Sequence, residues 1–307
     1  MFKIALVQNA SELRNYSFVD DTKLIKETIG FECINFTSCN IHDLDNYLIG
    51  QNAVSCVLFA TNSLNDPKTY EHVCSNEFVD LFQRYLDEGG STLILHQIHL
   101  AKKVGEEGGN PFPFIGAKQI KRLTKVSSEN KDIVLSRERS VSFFKFPNIV
   151  TADDILKCSK NNKNIEALYW TLLEFNETDE FIPVLRNGNG EYLISKMLNK
   201  KVVISSLILD WQRHDKLLEN ILINLIIPDS AIAFITNNET PGLGYSFFLK
   251  SLENHKLYYK IYNSNIKDDI ERLKECVNIG IINTVLVLGK ECKKVSEKDI
   301  NKCVKDH

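Results

Sequence analysis

Apolar and polar positions alternate along this chain in blocks that change period. Residues Phe2 to Val7 form a continuous apolar run, the pattern of a strand buried on both faces of a parallel sheet. Asn9 to Ser17 is polar and loop-like, and Asp20 to Ile29 has helical spacing with Gly30 as its stop. Phe31 to Phe36 predicts a second strand, Ile41 to Leu48 a short helix, and Ala53 to Ala60 (AVSCVLFA) a third, strongly buried strand. Glu77 to Glu88 places Phe78, Leu81, Phe82, Tyr85 and Leu86 on one side of a helix. A double glycine, Gly89-Gly90, ends that helix. A strand from Ser91 to Ile94 comes next and runs into the polar cluster Leu95-His96-Gln97-Ile98-His99. Strands alternating with helices on short connections imply a parallel α/β sheet with right-handed crossovers.

The rhythm breaks between residues 105 and 146, which read as an insertion decorating the sheet. Within it, 106–114 is loop, and Ile120 to Lys125, Ile133 to Leu135 and Val141 to Phe144 are short strands or irregular structure. Ala167 to Phe175 and Ile182 to Arg186 are further strands. Asn187-Gly188-Asn189-Gly190 turns the chain back into Glu191 to Met197. Val202 to Leu209 (VVISSLIL) is a buried strand, and Lys216 to Ile226 is a helix with a leucine- and isoleucine-rich face.

Pro228-Asp229 marks a domain boundary, giving a first domain over 1–227 and a second over 228–307. The second restarts the pattern with strand Ala231 to Thr236, helix Gly244 to Asn254, strand Leu257 to Tyr262, helix Ile266 to Val277, strand Ile281 to Leu288 and helix Ser296 to Val304. IALVQN corresponds to IAFITN, ECINFT to YYKIYN and VSCVLFATN to NTVLVLGKE, which suggests an internal repeat. The second copy stops where the Gly-Gly unit of the first would come. Either the chain is a piece of a longer polypeptide or the second domain is a reduced three-stranded one.

Composition adds exclusions. The 307 residues are 43% hydrophobic and 25% charged with a net charge of −3, so nothing electrostatic invites nucleic acid or an anionic membrane. No window approaches the ~20 apolar residues of a membrane helix. The N-terminal apolar run is too short for a secretory leader. Eight cysteines show no CxxC spacing and are expected to be reduced thiols in a cytoplasmic protein, with no metal site and no cofactor. The Lys-, Asn- and Ile-rich composition suits an AT-rich bacterial genome.

The stretch Tyr85 to His96, a helix closed by a glycine pair and then a strand that delivers a turn residue, resembles the class I glutamine amidotransferase-like superfamily, in its ThuA-like and β-galactosidase-middle-domain branches. Leu198 to Leu225, a strand, polar turn and leucine-rich helix, resembles the end of the same domain, where active members carry a triad histidine. The resemblance covers about residues 1 to 227 and implies a flavodoxin-like fold. The chain departs from the family at the elbow: an active amidotransferase needs a cysteine there, activated by a strained turn and a helix N-terminus. Leu95-His96-Gln97 has no Cys, Ser or Thr.

In a parallel sheet the strand ends bring together Asn9, Asn62 with Ser63, His96 with Gln97, and Asp210 with His214, in the crevice where open α/β sheets bind ligands. His96 could serve as general base or ligand contact with Asp210 orienting it. The plainer alternative is that His96 and Gln97 bond loop backbone and close the turn. His96 and His99, with His214 or Asp210, could share a metal if the elbow opens a helix, an arrangement not expected here. Trp211 either packs or stacks on a sugar or base. Asn237 to Gly244 sits where a phosphate loop would lie but lacks the required glycines and Gly-Lys-Ser/Thr, and so reads as a turn. Lys290 to Lys294 reads as a solvated loop.

The expectation is a catalytically inactive amidotransferase-like module that binds a small ligand or a protein partner as a sensor or assembly part of a larger intracellular system. A stress or phage-defence role would fit. The alternatives are a hydrolase or lyase using His96 with Asp210 or His214 to activate water, and a homo-oligomeric scaffold.

Overall fold

A computed structural model describes residues 2–11, 21–23, 25–26, 31–97, 110–117, 120–121, 133–135, 143–144, 146–155, 174–175, 180–188, 190, 192–210, 214–226, 231–236, 259–278 and 282–287. Trp211, His99, the 237–244 loop, the helices expected at 244–254 and 296–304 and the loop at 290–294 lie outside these residues.

The first strands coincide with the apolar runs. Strand β1 (Lys3–Val7) and strand β3 (Cys56–Phe59) are buried along almost their whole length, while β2 (Glu32–Phe36) has the mixed burial of an edge strand. β1 pairs with both β2 and β3 in parallel register, and β3 pairs with β4 (Ser91–Ile94). Strand β10 (Lys201–Ser205) joins β4, also in parallel. The parallel part of the sheet therefore runs β2-β1-β3-β4-β10. That order is the doubly wound, flavodoxin-like one, with its topological switch point between β1 and β3.

Beyond β10 the sheet turns antiparallel through β9 (Tyr192–Met197), β8 (Phe181–Asn187) and β6 (Ile133–Leu135), giving eight strands among the described residues. The hairpin expected around 187–190 is the β8–β9 turn, with Gly190 at a φ of +82°. Residues 133–135, read as a short strand or irregular structure within an insertion decorating the sheet, form a strand that extends the sheet's edge. Two further short strands, β5 (Ile120–Lys121) and β7 (Glu174–Phe175), pair with each other, antiparallel, in a second small sheet. Residues 143–144, within a stretch read as a short strand or irregular structure, are helical, and Phe143, Phe144 and Phe146 are buried.

Helix α1 (Pro67–Val73) is not among the elements the hydrophobic pattern predicts. Its signals are local: the Asp66 carboxylate accepts the N–H groups of Lys68 and Thr69, and Pro67 stands at the first helical position. Helix α2 (Asn76–Asp87) is capped by Ser75, whose hydroxyl accepts the Phe78 N–H. It buries Phe78, Phe82, Tyr85 and Leu86. Segment 106–114, expected as loop, ends in a 3-10 turn (Pro113–Ile115) whose Phe114 ring packs 5.3 Å from Phe82 and 5.1 Å from Phe59. Helix and strand are thus joined through an aromatic cluster. Helix α3 (Asp215–Ile226) covers β3, β4 and β10. The last expected strand of the first domain is shorter than its apolar run, because Ser205 bonds the backbone of Leu207 and turns the chain out of the ladder.

The Gly89-Gly90 pair has a specific cause. The N–H of Gly90 bonds the Tyr85 carbonyl and that of Gly89 the Leu86 carbonyl, the double bond pattern that closes a helix in a left-handed residue. Gly89 supplies that residue, at a φ of +95°. Gly90 is required for another reason: a Cβ there would lie 2.3 Å from the Tyr85 ring. The ring sits there because its hydroxyl donates to the Ser91 carbonyl and accepts the Ser91 N–H, tying the end of α2 to the start of β4.

Strands β11 (Ala231–Thr236), β12 (Tyr259–Asn263) and β13 (Ile282–Val287) form a separate parallel sheet in the order β12-β11-β13. This repeats the β2-β1-β3 order of the first sheet, as the matched sequences anticipate. Helix α4 (Lys267–Asn278) packs on it through Ile270, Leu273 and Val277. Gly90→Ala should lower unfolding free energy by about 2–3 kcal/mol through overpacking against an immovable buried ring; urea denaturation checks this, and Gly89→Ala should act instead through backbone strain.

Candidate functional site

The carboxyl ends of β1, β3, β4 and β10 converge on one edge of the sheet, and the polar residues after each strand are buried there. Asn9, Asn62, Ser63, His96, Gln97, Asp210 and His214 are all at most 7% exposed, and Gln8 and Thr61 join them. The expected grouping of Asn9, Asn62, Ser63, His96, Gln97, Asp210 and His214 at the strand ends is therefore what the topology produces. Thr61, which the sequence pattern does not single out, is the residue that connects the end of β3 to Asp210.

Most of these groups are committed to one another. The Asp210 carboxylate accepts the Thr61 N–H at 2.9 Å and its hydroxyl at 2.6 Å, joining the end of β3 to the loop after β10 across 149 residues of sequence. The Gln97 amide donates to the carbonyls of Ala60 and Leu95 and accepts the Leu64 N–H, each at 2.9 Å. Gln97 thus fixes the course of the chain after β3, the turn-closing role anticipated as the plainer reading. Asn9 donates from Nδ2 to the Asn62 carbonyl at 3.2 Å, while its Oδ1 accepts from the backbone and hydroxyl of Ser11. The Asn62 N–H in turn bonds the His96 carbonyl at 2.8 Å.

Asn62 has a φ of +59°, the one left-handed non-glycine residue among those described. Asparagine tolerates this conformation better than most side chains. Such a residue at the switch point is a recognised place for stored strain at functional sites.

Among the described residues, the Ser63 hydroxyl and Nε2 of His214 on this edge have no hydrogen-bond partner. His214 lies just before α3, its N–H bonding the Leu209 carbonyl and its carbonyl accepting the Leu218 N–H. Burial away from water pushes its imidazole down to about 4, so the ring is neutral at pH 7. Ser63 comes directly after Asn62 and is fully buried.

The residues after β4 limit the chemistry available. They are Leu95, His96 and Gln97, and none is a nucleophile of the Cys, Ser or Thr type. The buried thiol Cys56 begins β3, in register with Ser91 at the start of β4, and so sits at the opposite end of these strands. Burial drives its thiol up to about 12, which makes it inert. Among the described residues no group of three or more His, Cys, Asp or Glu side chains is arranged to hold a metal ion. The edge offers hydrogen bonding from buried polar groups, among them the neutral imidazole of His214.

His214 also makes stability depend on pH. Its folded value of about 4 lies below the ordinary 6.5. The unfolded chain therefore takes up a proton below pH 6.5 that the folded chain refuses until near pH 4. The contribution is complete above about pH 6.5 and is lost as pH falls towards 4, on the order of 3 kcal/mol in all. Urea unfolding between pH 7 and 4.5 should show this loss, and His214→Leu should flatten it. Asp210→Asn leaves one of the two Thr61 donors facing an amide NH2, so it should destabilise by about 2–4 kcal/mol at pH 7 while Thr61→Val in the same background adds little, as a double-mutant cycle would measure.

No protein-family model matches the sequence, and no curated protein matches it. Among solved structures, the chain is similar to a ThuA-like protein from Bacteroides uniformis at 13% identity and a TM-score of 0.43, covering 73% of this chain and 91% of that one. It is also similar to a GMP synthase protein from Thermoplasma acidophilum, at 10% identity and a TM-score of 0.34, covering 73% of this chain and 96% of that one. These likenesses are too loose to carry an argument, and it is the strand order that assigns the fold: a mixed α/β protein with a flavodoxin-like parallel sheet.

Proposed function

We propose that this chain is a non-catalytic binding module of the amidotransferase-like type, whose strand-end crevice takes a small, uncharged polar ligand. The observation that carries this reading is the pair of buried, partnerless polar atoms, the Ser63 hydroxyl and His214 Nε2, on the edge where doubly wound sheets hold their ligands. Buried polar groups are nearly always hydrogen-bonded, so two exceptions on one functional edge favour a ligand that completes them. The neutral state of His214 favours a ligand that offers a hydrogen bond rather than a charge. The module would serve as a sensor or assembly part of a larger system, with ligand occupancy reported through α3, which His214 opens.

The competing reading, a hydrolase or lyase in which His96 with Asp210 or His214 activates water, has less support. An imidazole held near 4 is a weak general base at neutral pH, since efficient proton transfer wants a value near the working pH. The Asp210 oxygens accept from Thr61 rather than standing open for this work.

Thermal-shift screening across classes of neutral metabolites should give at least one that raises the melting temperature, and Ser63→Ala and His214→Leu should each weaken that ligand by about ten-fold or more. A turnover activity lost in His96→Ala would replace this reading with the enzymatic one. A screen that stays empty while a protein partner is captured directly by purified components would move the binding function to a protein surface.

A further inference from the structure

Helix α4 hides one face and arranges charge on the other in a self-complementary order. Ile270, Leu273 and Val277 face the three-stranded sheet. Asp268 and Arg272 stand one turn apart on a cleft of about 440 Å³, which Glu271, Lys274 and Ile149 also line. Glu271 is paired with Lys267 at 3.6 Å. Asp268 and Arg272 enter no ion pair with a described residue of their own chain, although their spacing would allow one with each other.

The apolar member of the cleft is held in place rather than hanging free. Ile149 is 41% exposed, one of three large apolar side chains that are exposed among the described residues. Its loop is fixed on both sides. The Asn148 N–H and Nδ2 bond Oδ1 of buried Asn220, and Nδ2 also reaches Glu219. Asn220 and Asn224 donate back to the carbonyls of Asn148, Phe143 and Phe146. On the other side Lys260, from β12, donates to the Pro147 carbonyl at 2.9 Å. A large aliphatic side chain presented on a braced loop, beside unpaired charges of both signs, sets an apolar contact next to a polar one on the same small surface.

We propose that this face binds a second copy of the same chain, with two α4 helices antiparallel about a two-fold axis that passes between Asp268 and Arg272 on the solvent side of α4, level with Ile270 along the helix. Ile270 is midway between Asp268 and Arg272 in sequence. A two-fold axis there sets Asp268 of one copy opposite Arg272 of the other and repeats the pair by symmetry, as an isologous contact requires. The two Ile149 side chains cover the cleft floors beside the axis. A single-sign partner would satisfy only half of this pattern, which is why the second copy is the fitting occupant.

Sedimentation equilibrium on the full chain tests this. The wild type should be a dimer that weakens as salt is raised. Asp268→Arg and Arg272→Asp, both outside the packed face of α4, should each weaken it by about ten-fold or more, because each places like charges across the axis. An equimolar mixture of the two variants should recover a heterodimer, and the double variant Asp268→Arg/Arg272→Asp should recover the homodimer. Circular dichroism on each variant separates lost association from lost fold. A wild type that stays monomeric at its highest soluble concentration overturns the proposal. So does a dimer indifferent to both single reversals, or one that neither the mixture nor the double variant restores.

Discussion

The bond between Asp210 and Thr61 closes the functional edge of this molecule. A carboxylate 1% exposed cannot be left unsolvated, and here it is satisfied by a backbone N–H and a hydroxyl from a strand end 149 residues away. Its consequence is topological. β4 lies between β3 and β10 in the sheet, so the bond spans the end of β4 and holds the loops on either side of it at fixed separation. The elbow at Leu95 to Gln97 emerges under this bridge, and α3 starts shortly after Asp210.

Around that bridge the strand-end edge is held together by hydrogen bonds among its own residues. Gln97 saturates its amide on the chain after β3, Asn9 and His96 hold Asn62, and Asn62 adopts a left-handed backbone. A site of this kind is preorganised: the groups that shape it do not have to move to be satisfied. The atoms left over, on Ser63 and His214, are therefore defined in position by their neighbours, which is the condition under which a few hydrogen bonds give specificity. The residues that follow β4 directly, Leu95 to Gln97, include no Cys, Ser or Thr, and the buried Cys56 thiol lies at the opposite end of these strands.

The fold is legible to different degrees for physical reasons. β1 and β3 are visible as uninterrupted apolar runs because a strand covered on both faces has no solvent side to vary. The Gly-Gly pair after α2 marks a turn, but its second glycine owes its identity to the Tyr85 ring, which the turn pattern alone does not reveal. Helix α1 escapes the hydrophobic pattern although Asp66-Pro67 signals its start, since seven residues give too little periodicity to stand out. Residues 112–114 belong to a stretch that reads as loop. Phe112 and Phe114 are buried nonetheless, because Phe114 fills a space between Phe59 and α2 that exists only after both have been placed.

The sequence by itself determined the alternation of strand and helix, the repeat of three strands after residue 230, the position of the polar clusters after each strand, and the lack of a nucleophile at the elbow. These are properties of local pattern and residue type. Only the tertiary structure decided that residues 133–135 extend the main sheet, that Thr61 is the partner of Asp210, that Gln97 is consumed in holding the chain after β3, and that Ser63 and His214 are left with unused hydrogen-bonding atoms. Each of these depends on which distant groups meet once the strands are in order. Hydrogen-bond satisfaction is a property of pairs, and a sequence read along its length does not show the second member.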